Sequence, residues 1–126
     1  MPPMSAFAAV ALGAVLGAWL RWFLVGEFNA VLPHLPLGTL LANIGGGLMI
    51  GFAVAWLVAY PQIHPHVRLF LVTGFLGALT TFSTFSAESL ELLHAGRYGW
   101  AFVHSAAHLF GSLAAAAGGF AAYHAI

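Results

Sequence analysis

The sequence predicts an all-α integral membrane protein with four transmembrane helices per subunit, the third of them broken mid-membrane. Three observations predict it. The chain is 62% hydrophobic and 5% charged, where a soluble domain carries roughly 25% charged residues. At about 20 residues per span, its 126 residues allow four spans and short connections. The third observation is the stretch Gly74-Phe75-Leu76-Gly77-Ala78-Leu79-Thr80-Thr81-Phe82-Ser83-Thr84-Phe85-Ser86, which lies in an apolar segment yet reads poorly as a helix. Five of its last seven residues carry hydroxyls, three of them on threonine. Gly costs about 1 kcal/mol relative to Ala in a helix interior, and Ser and Thr compete for backbone hydrogen bonds.

A single transmembrane domain is expected over 1–126, with spans near 4–26, 37–60, 67–94 and 98–123. Met1-Pro2-Pro3-Met4 lacks the positive region of a signal peptide, so the first apolar run is expected to be retained. Span one contains Gly13 and Gly17, a small-residue pair that lets another helix approach closely. Trp19, Arg21 and Trp22 follow. They read either as an interfacial anchor with a snorkelling Arg or as a cation at the mouth of an anion pathway.

Residues 28–36 form a loop punctuated by Pro33 and Pro36. Span two then carries Gly38-Thr39-Leu40-Leu41-Ala42-Asn43, followed by Gly45, Gly46, Gly47 and Gly51. An amide such as Asn43 is costly in lipid and should face protein or water. Thr39, four residues earlier, shares its face. In the second loop, His64 and His66 flank Pro65 and are expected to be solvated. Span three breaks within the hydroxyl-rich stretch and ends with Glu88 and Glu91 on its final turns.

Span four carries His104, His108 and Ser112 at i, i+4 and i+8, one polar stripe on an Ala/Phe/Leu helix. Such a His pair can bind a metal, but no carboxylate neighbours it in sequence, so the stripe is expected to face a partner helix or a wet pathway. A wet His titrates near pH 6.5, and flux along the stripe would then rise below neutral pH.

Inside a bilayer, irregular backbone survives only where protein buries it or a polar cavity meets it. A broken, hydroxyl-rich span is therefore a candidate ion site. The three basic residues are Arg21, Arg68 and Arg97, balanced by three acids. This balance excludes a nucleic-acid-binding face. In a four-span topology, Arg21 and Arg97 fall on one side and Arg68 on the other. With almost no positive-inside bias, the chain could insert in both orientations. No nucleophile–base set, phosphate loop or Cys ligand set appears, so an enzyme is not expected.

Gly17-Ala18-Trp19-Leu20-Arg21, the run Gly38 to Asn43, and Gly74 through Ser86 together closely resemble the CrcB/Fluc fluoride channels, in order and at family length. The resemblance implies a passive fluoride channel of the bacterial inner membrane, built as an antiparallel dual-topology homodimer with two pores. It implies that Asn43, Phe82 and Phe85 line the fluoride pore, with the Ser83 and Thr84 hydroxyls beside them. Arg21 matches the vestibule arginine. Gly77 and Thr80 match positions whose backbone carbonyls, from both subunits, hold a central structural sodium ion. Ser112 keeps the polar track that the family carries on span four, whereas His104 and His108 depart from its usual hydroxyls.

The chemistry agrees. Fluoride is strongly hydrated, so removing its water requires donors, and neutral donors hold it weakly enough to let it leave. Amide and hydroxyl groups and the positive edges of Phe rings qualify. Two other classes compete. A proton-coupled small multidrug-type transporter needs an acid inside the membrane, and the three acids here sit near helix ends in the sequence. A non-transporting membrane assembly subunit would use the histidines but leaves the Thr/Phe/Ser stretch unexplained.

Overall fold

A computed structural model describes Met1–Ile126 throughout, and all of its regular structure is helical. Helix α1 (Met4–Phe28) starts after Pro3, whose extended backbone cannot continue a helix backwards. Helix α2 (Leu37–Ala59) starts behind Pro36 and stops at Tyr60, the residue before Pro61. Helix α3 (Pro65–Arg68) has Pro in its first turn, and the His64 side chain accepts the His66 N–H at 3.0 Å as its cap.

The third span then changes character twice. Leu69–Leu76 is π-helical, and α4 (Gly77–Leu79) is a single α-turn that ends at extended Thr80. Thr81 is extended as well, and α5 (Phe82–His94) restarts behind it. The break is thus confined to Thr80 and Thr81. The hydroxyl-rich run from Phe82 to Ser86 is helical because Thr81 caps it, its Oγ1 accepting the Thr84 N–H at 3.1 Å.

Helix α5 closes on Gly96, whose φ of 76° is a left-handed conformation that suits glycine. There Arg97 N–H reaches Leu92 O at 2.8 Å, and Gly96 N–H reaches Leu93 O at 3.0 Å. Helix α6 (Tyr98–His124) completes the chain. Four helical stretches are long and apolar enough to cross a membrane, the third running from Pro65 to His94. This is a multi-pass membrane protein.

Helix α2 packs most extensively on α6, and α1 on the π-helical segment. Glycine sets both distances. A Cβ at Gly13 or Gly17 would collide with the carbonyls of Phe70 or Phe75, and one at Gly51 with that of Ala116. This is close packing of backbones by small residues. Only 20 of 126 residues are buried, and Trp22, Phe102 and Phe110 point outward. An exterior this apolar needs lipid or a second subunit over it. The small interior cluster of Ala42, Leu76 and Leu79 lies directly under the break.

Candidate functional site

The break is held open by side chains that take the hydrogen bonds a continuous helix would use. In an unbroken helix, Thr81 N–H would reach back to Gly77 O. Here it donates to Asn43 Oδ1 at 2.7 Å, and Asn43 Nδ2 donates to Thr81 O at 3.1 Å. The amide therefore clasps one peptide unit from both sides. Thr84 N–H, which would reach Thr80 O, goes instead to Thr81 Oγ1. Ala78 O is taken by Arg21 Nε–H at 3.0 Å. The carbonyls of Gly77 and Thr80 thereby lose their helical donors.

Beside the clasp lies a cavity of about 530 Å³, lined by Asn43, Thr80, Thr81, Phe82, Phe85, Ser105, His108 and Ser112, with Leu109 and Leu113. No formally charged side chain is among them. The Phe82 and Phe85 ring centroids are 5.4 Å apart, inclined at 60°. Phe82 is 80% exposed. Like the rest of the apolar exterior, this ring needs lipid or a second subunit over it.

Asn43, Phe82, Phe85, His108 and Ser112 are thus brought together. Ser83 and Thr84 do not line the cavity; both hydroxyls bond to Thr81 Oγ1, at 3.2 and 3.1 Å. Of the stripe expected on α6 to face a partner helix or a wet pathway, His104 turns to the partner helix α5 and His108 and Ser112 line the cavity. His104 is fully buried and lies behind the cavity, and Ser105 takes its place in the lining. Ser105, His108 and Ser112 follow the spacing i, i+3, i+7, an equally good helical face. Nothing in sequence periodicity separates the two alternatives.

His104 is packed in by its neighbours. Phe85 stacks on it at 5.3 Å and 11°. Its Nε2 meets Glu88 Oε1 at 3.0 Å, and its Nδ1 meets Ser89 Oγ at 2.8 Å. Thr39 Oγ1–H donates to the other oxygen of Glu88 at 2.6 Å, and Asn29 holds the Thr39 N–H at 3.0 Å. Two expectations are corrected here. Glu88 is an interior acid, its side chain 12% exposed, and a carboxylate does neighbour the His pair. Thr39 serves that acid, while Asn43 serves the break.

His108 completes the arrangement: Asn43 Nδ2 also lies 3.0 Å from its Nδ1. The Thr81 N–H fixes which end of the Asn43 amide is oxygen, so Nδ2 donates and the neutral His108 ring carries its proton on Nε2. Both Asn43 donors are therefore engaged, one on Thr81 O and one on the ring. Thr81 and Ser105 were missed from sequence. Thr81 could have been found from its place between two helix halves, where a Thr caps the second.

The model of the CrcB family, described as CrcB-like protein, Camphor Resistance, matches residues 8–120. The chain belongs to the CrcB family. A relative from Cupriavidus metallidurans, named fluoride-specific ion channel FluC, is 53% identical over 126 residues, covering 100% of this chain and 99% of its own length. FluC relatives from Aromatoleum aromaticum and Acinetobacter baumannii are 52% and 51% identical, covering 95% and 92% of this chain and 92% and 91% of their own lengths. The CrcB match runs from within α1 to Phe120 in α6 and so spans every residue lining the cavity.

Proposed function

We propose that this chain is a fluoride-selective passive channel of the bacterial inner membrane, allowing fluoride to leave the cytoplasm down its gradient. The observation that carries the reading is the cavity itself, where uncharged donors and aromatic rings gather at a helix break. The names of the FluC relatives support it. A bare fluoride ion has lost most of its hydration, and hydroxyls, an amide and Phe edges replace it without a fixed positive charge that would trap the ion. Because both Asn43 donors are engaged at rest, fluoride entering the groove takes the one now given to His108. The bond to Thr81 O stays, since breaking it would undo the clasp. Ser105 and Ser112 continue the donor track along α6.

The working unit in this reading is an antiparallel dual-topology homodimer in the bilayer, with two pores. Exposed Phe82 and the outward-facing lining of the cavity support it, since a second copy would cover them. A structural sodium ion at the dimer centre would be held by the Gly77 and Thr80 carbonyls of both subunits. These two carbonyls fit that role because Asn43 and Thr81 Oγ1 take their helical donors. Bound there, the ion would supply positive charge between the two broken helices. Arg21 steadies the same turn through Ala78 O, and as a vestibule arginine it would place a cation near the entrance.

Fluoride-electrode efflux from liposomes holding purified protein and potassium fluoride, with valinomycin present, tests the function. Fast fluoride release and silent chloride are expected. Silence for both ions, in a folded dimer supplied with sodium, would mean that the fold persists without the pore.

A further inference from the structure

We propose that Glu88, His104 and His108 form a binding site for a divalent transition-metal ion of the zinc or copper class. The three residues bring one ligating atom each within 4.8 Å of the others, from two different helices. Two imidazoles and one carboxylate suit zinc and copper, whereas magnesium and calcium take oxygen ligands. Tetrahedral bonds of about 2.1 Å place ligands about 3.4 Å apart. His104 Nε2 and Glu88 Oε1 are already 3.0 Å apart, near that spacing.

A second observation is independent of this clustering. His108 Nε2 is buried and has no hydrogen-bond partner, a costly state for a polar atom. The outer contacts are those of a supported metal site. Thr39 orients the second Glu88 oxygen. Once Nε2 is ligated, His104 Nδ1–H can donate to Ser89 Oγ, 2.8 Å away, and the Ser89 hydrogen can turn to Ser105 Oγ at 3.3 Å.

Occupancy would also reach the groove. An ion on His108 Nε2 shifts the ring proton to Nδ1, which then faces the Asn43 Nδ2 donor. The Asn43–His108 bond must open. The metal site is therefore coupled to the amide beside the cavity through a single hydrogen bond.

Equilibrium dialysis of purified, metal-stripped protein against Zn²⁺ is the test. The stacked His64–His66 pair, with ring centroids 4.5 Å apart on the exposed second loop, is a competing site and is removed as a control. One Zn²⁺ per chain is expected to survive in His64→Gln/His66→Gln and to be lost in His104→Gln/His108→Gln. Undiminished binding in the latter overturns the proposal. Should that variant fail to fold, Glu88→Gln is expected to bind about tenfold more weakly or worse, and unchanged affinity would contradict the site. Cu²⁺ bound to the His64→Gln/His66→Gln protein should show hyperfine splitting from two imidazole nitrogens. Its absence would also overturn the site. All these readouts are binding, so their failure leaves the fluoride reading standing.

Discussion

Asn43 holds the Thr81 peptide from both sides, accepting its N–H at 2.7 Å and donating to its carbonyl at 3.1 Å. One side chain thus stands in for the helical bond that Gly77 would otherwise receive, and the break in the third span depends on it. Asn43→Ala leaves a part-buried N–H and C=O without partners, which costs about 1–3 kcal/mol. Thermal unfolding in detergent should show that loss, and fluoride efflux should fall about tenfold or more as the groove loses its amide.

Phe82 separates conduction from folding. At 80% exposure it adds little to the core, so Phe82→Ile should change stability by no more than about 0.5 kcal/mol. Efflux should nevertheless drop, because an aliphatic side chain lacks the positive ring edge. Thermal unfolding in detergent beside the efflux assay checks both halves of this expectation.

Thr39 is fully buried and donates to Glu88 at 2.6 Å. Thr39→Val keeps the shape and removes the donor from an interior carboxylate. A loss of about 1.5–3 kcal/mol is expected, the range for hydrogen bonds to charged groups. An unchanged melting temperature would show that Glu88 does not rely on this bond.

The proposed sodium site, built on the freed carbonyls of Gly77 and Thr80, predicts sodium dependence. Purification and efflux with sodium replaced by a large organic cation should lower dimer stability and fluoride flux together, and returning sodium should restore both. A channel indifferent to sodium would remove the ion from the account.

Much of this arrangement could be read from the chain. Pro36, Pro61 and Gly96 mark helix ends by backbone chemistry alone, and the Gly/Thr/Ser stretch marked the break. Other features could not be read for one physical reason: a π-helical segment and a break reset the phase of everything after them. The face of Glu88 depends on where α5 restarts, so its distance in sequence from a helix end did not reveal its burial. On α6, His104 and Ser105 are adjacent, and either completes a stripe with His108 and Ser112. Only packing against Phe85 and Glu88 decides between them.

The most direct measurement is the reversal potential of the purified protein in a planar bilayer, with a fluoride gradient on a background of symmetric chloride. A fluoride-selective pore reverses near the fluoride equilibrium potential, and Phe82→Ile lowers the current. Reversal near zero under the same gradient would mean that chloride carries the current, contradicting selective conduction through the Asn43–Phe82–Phe85 groove.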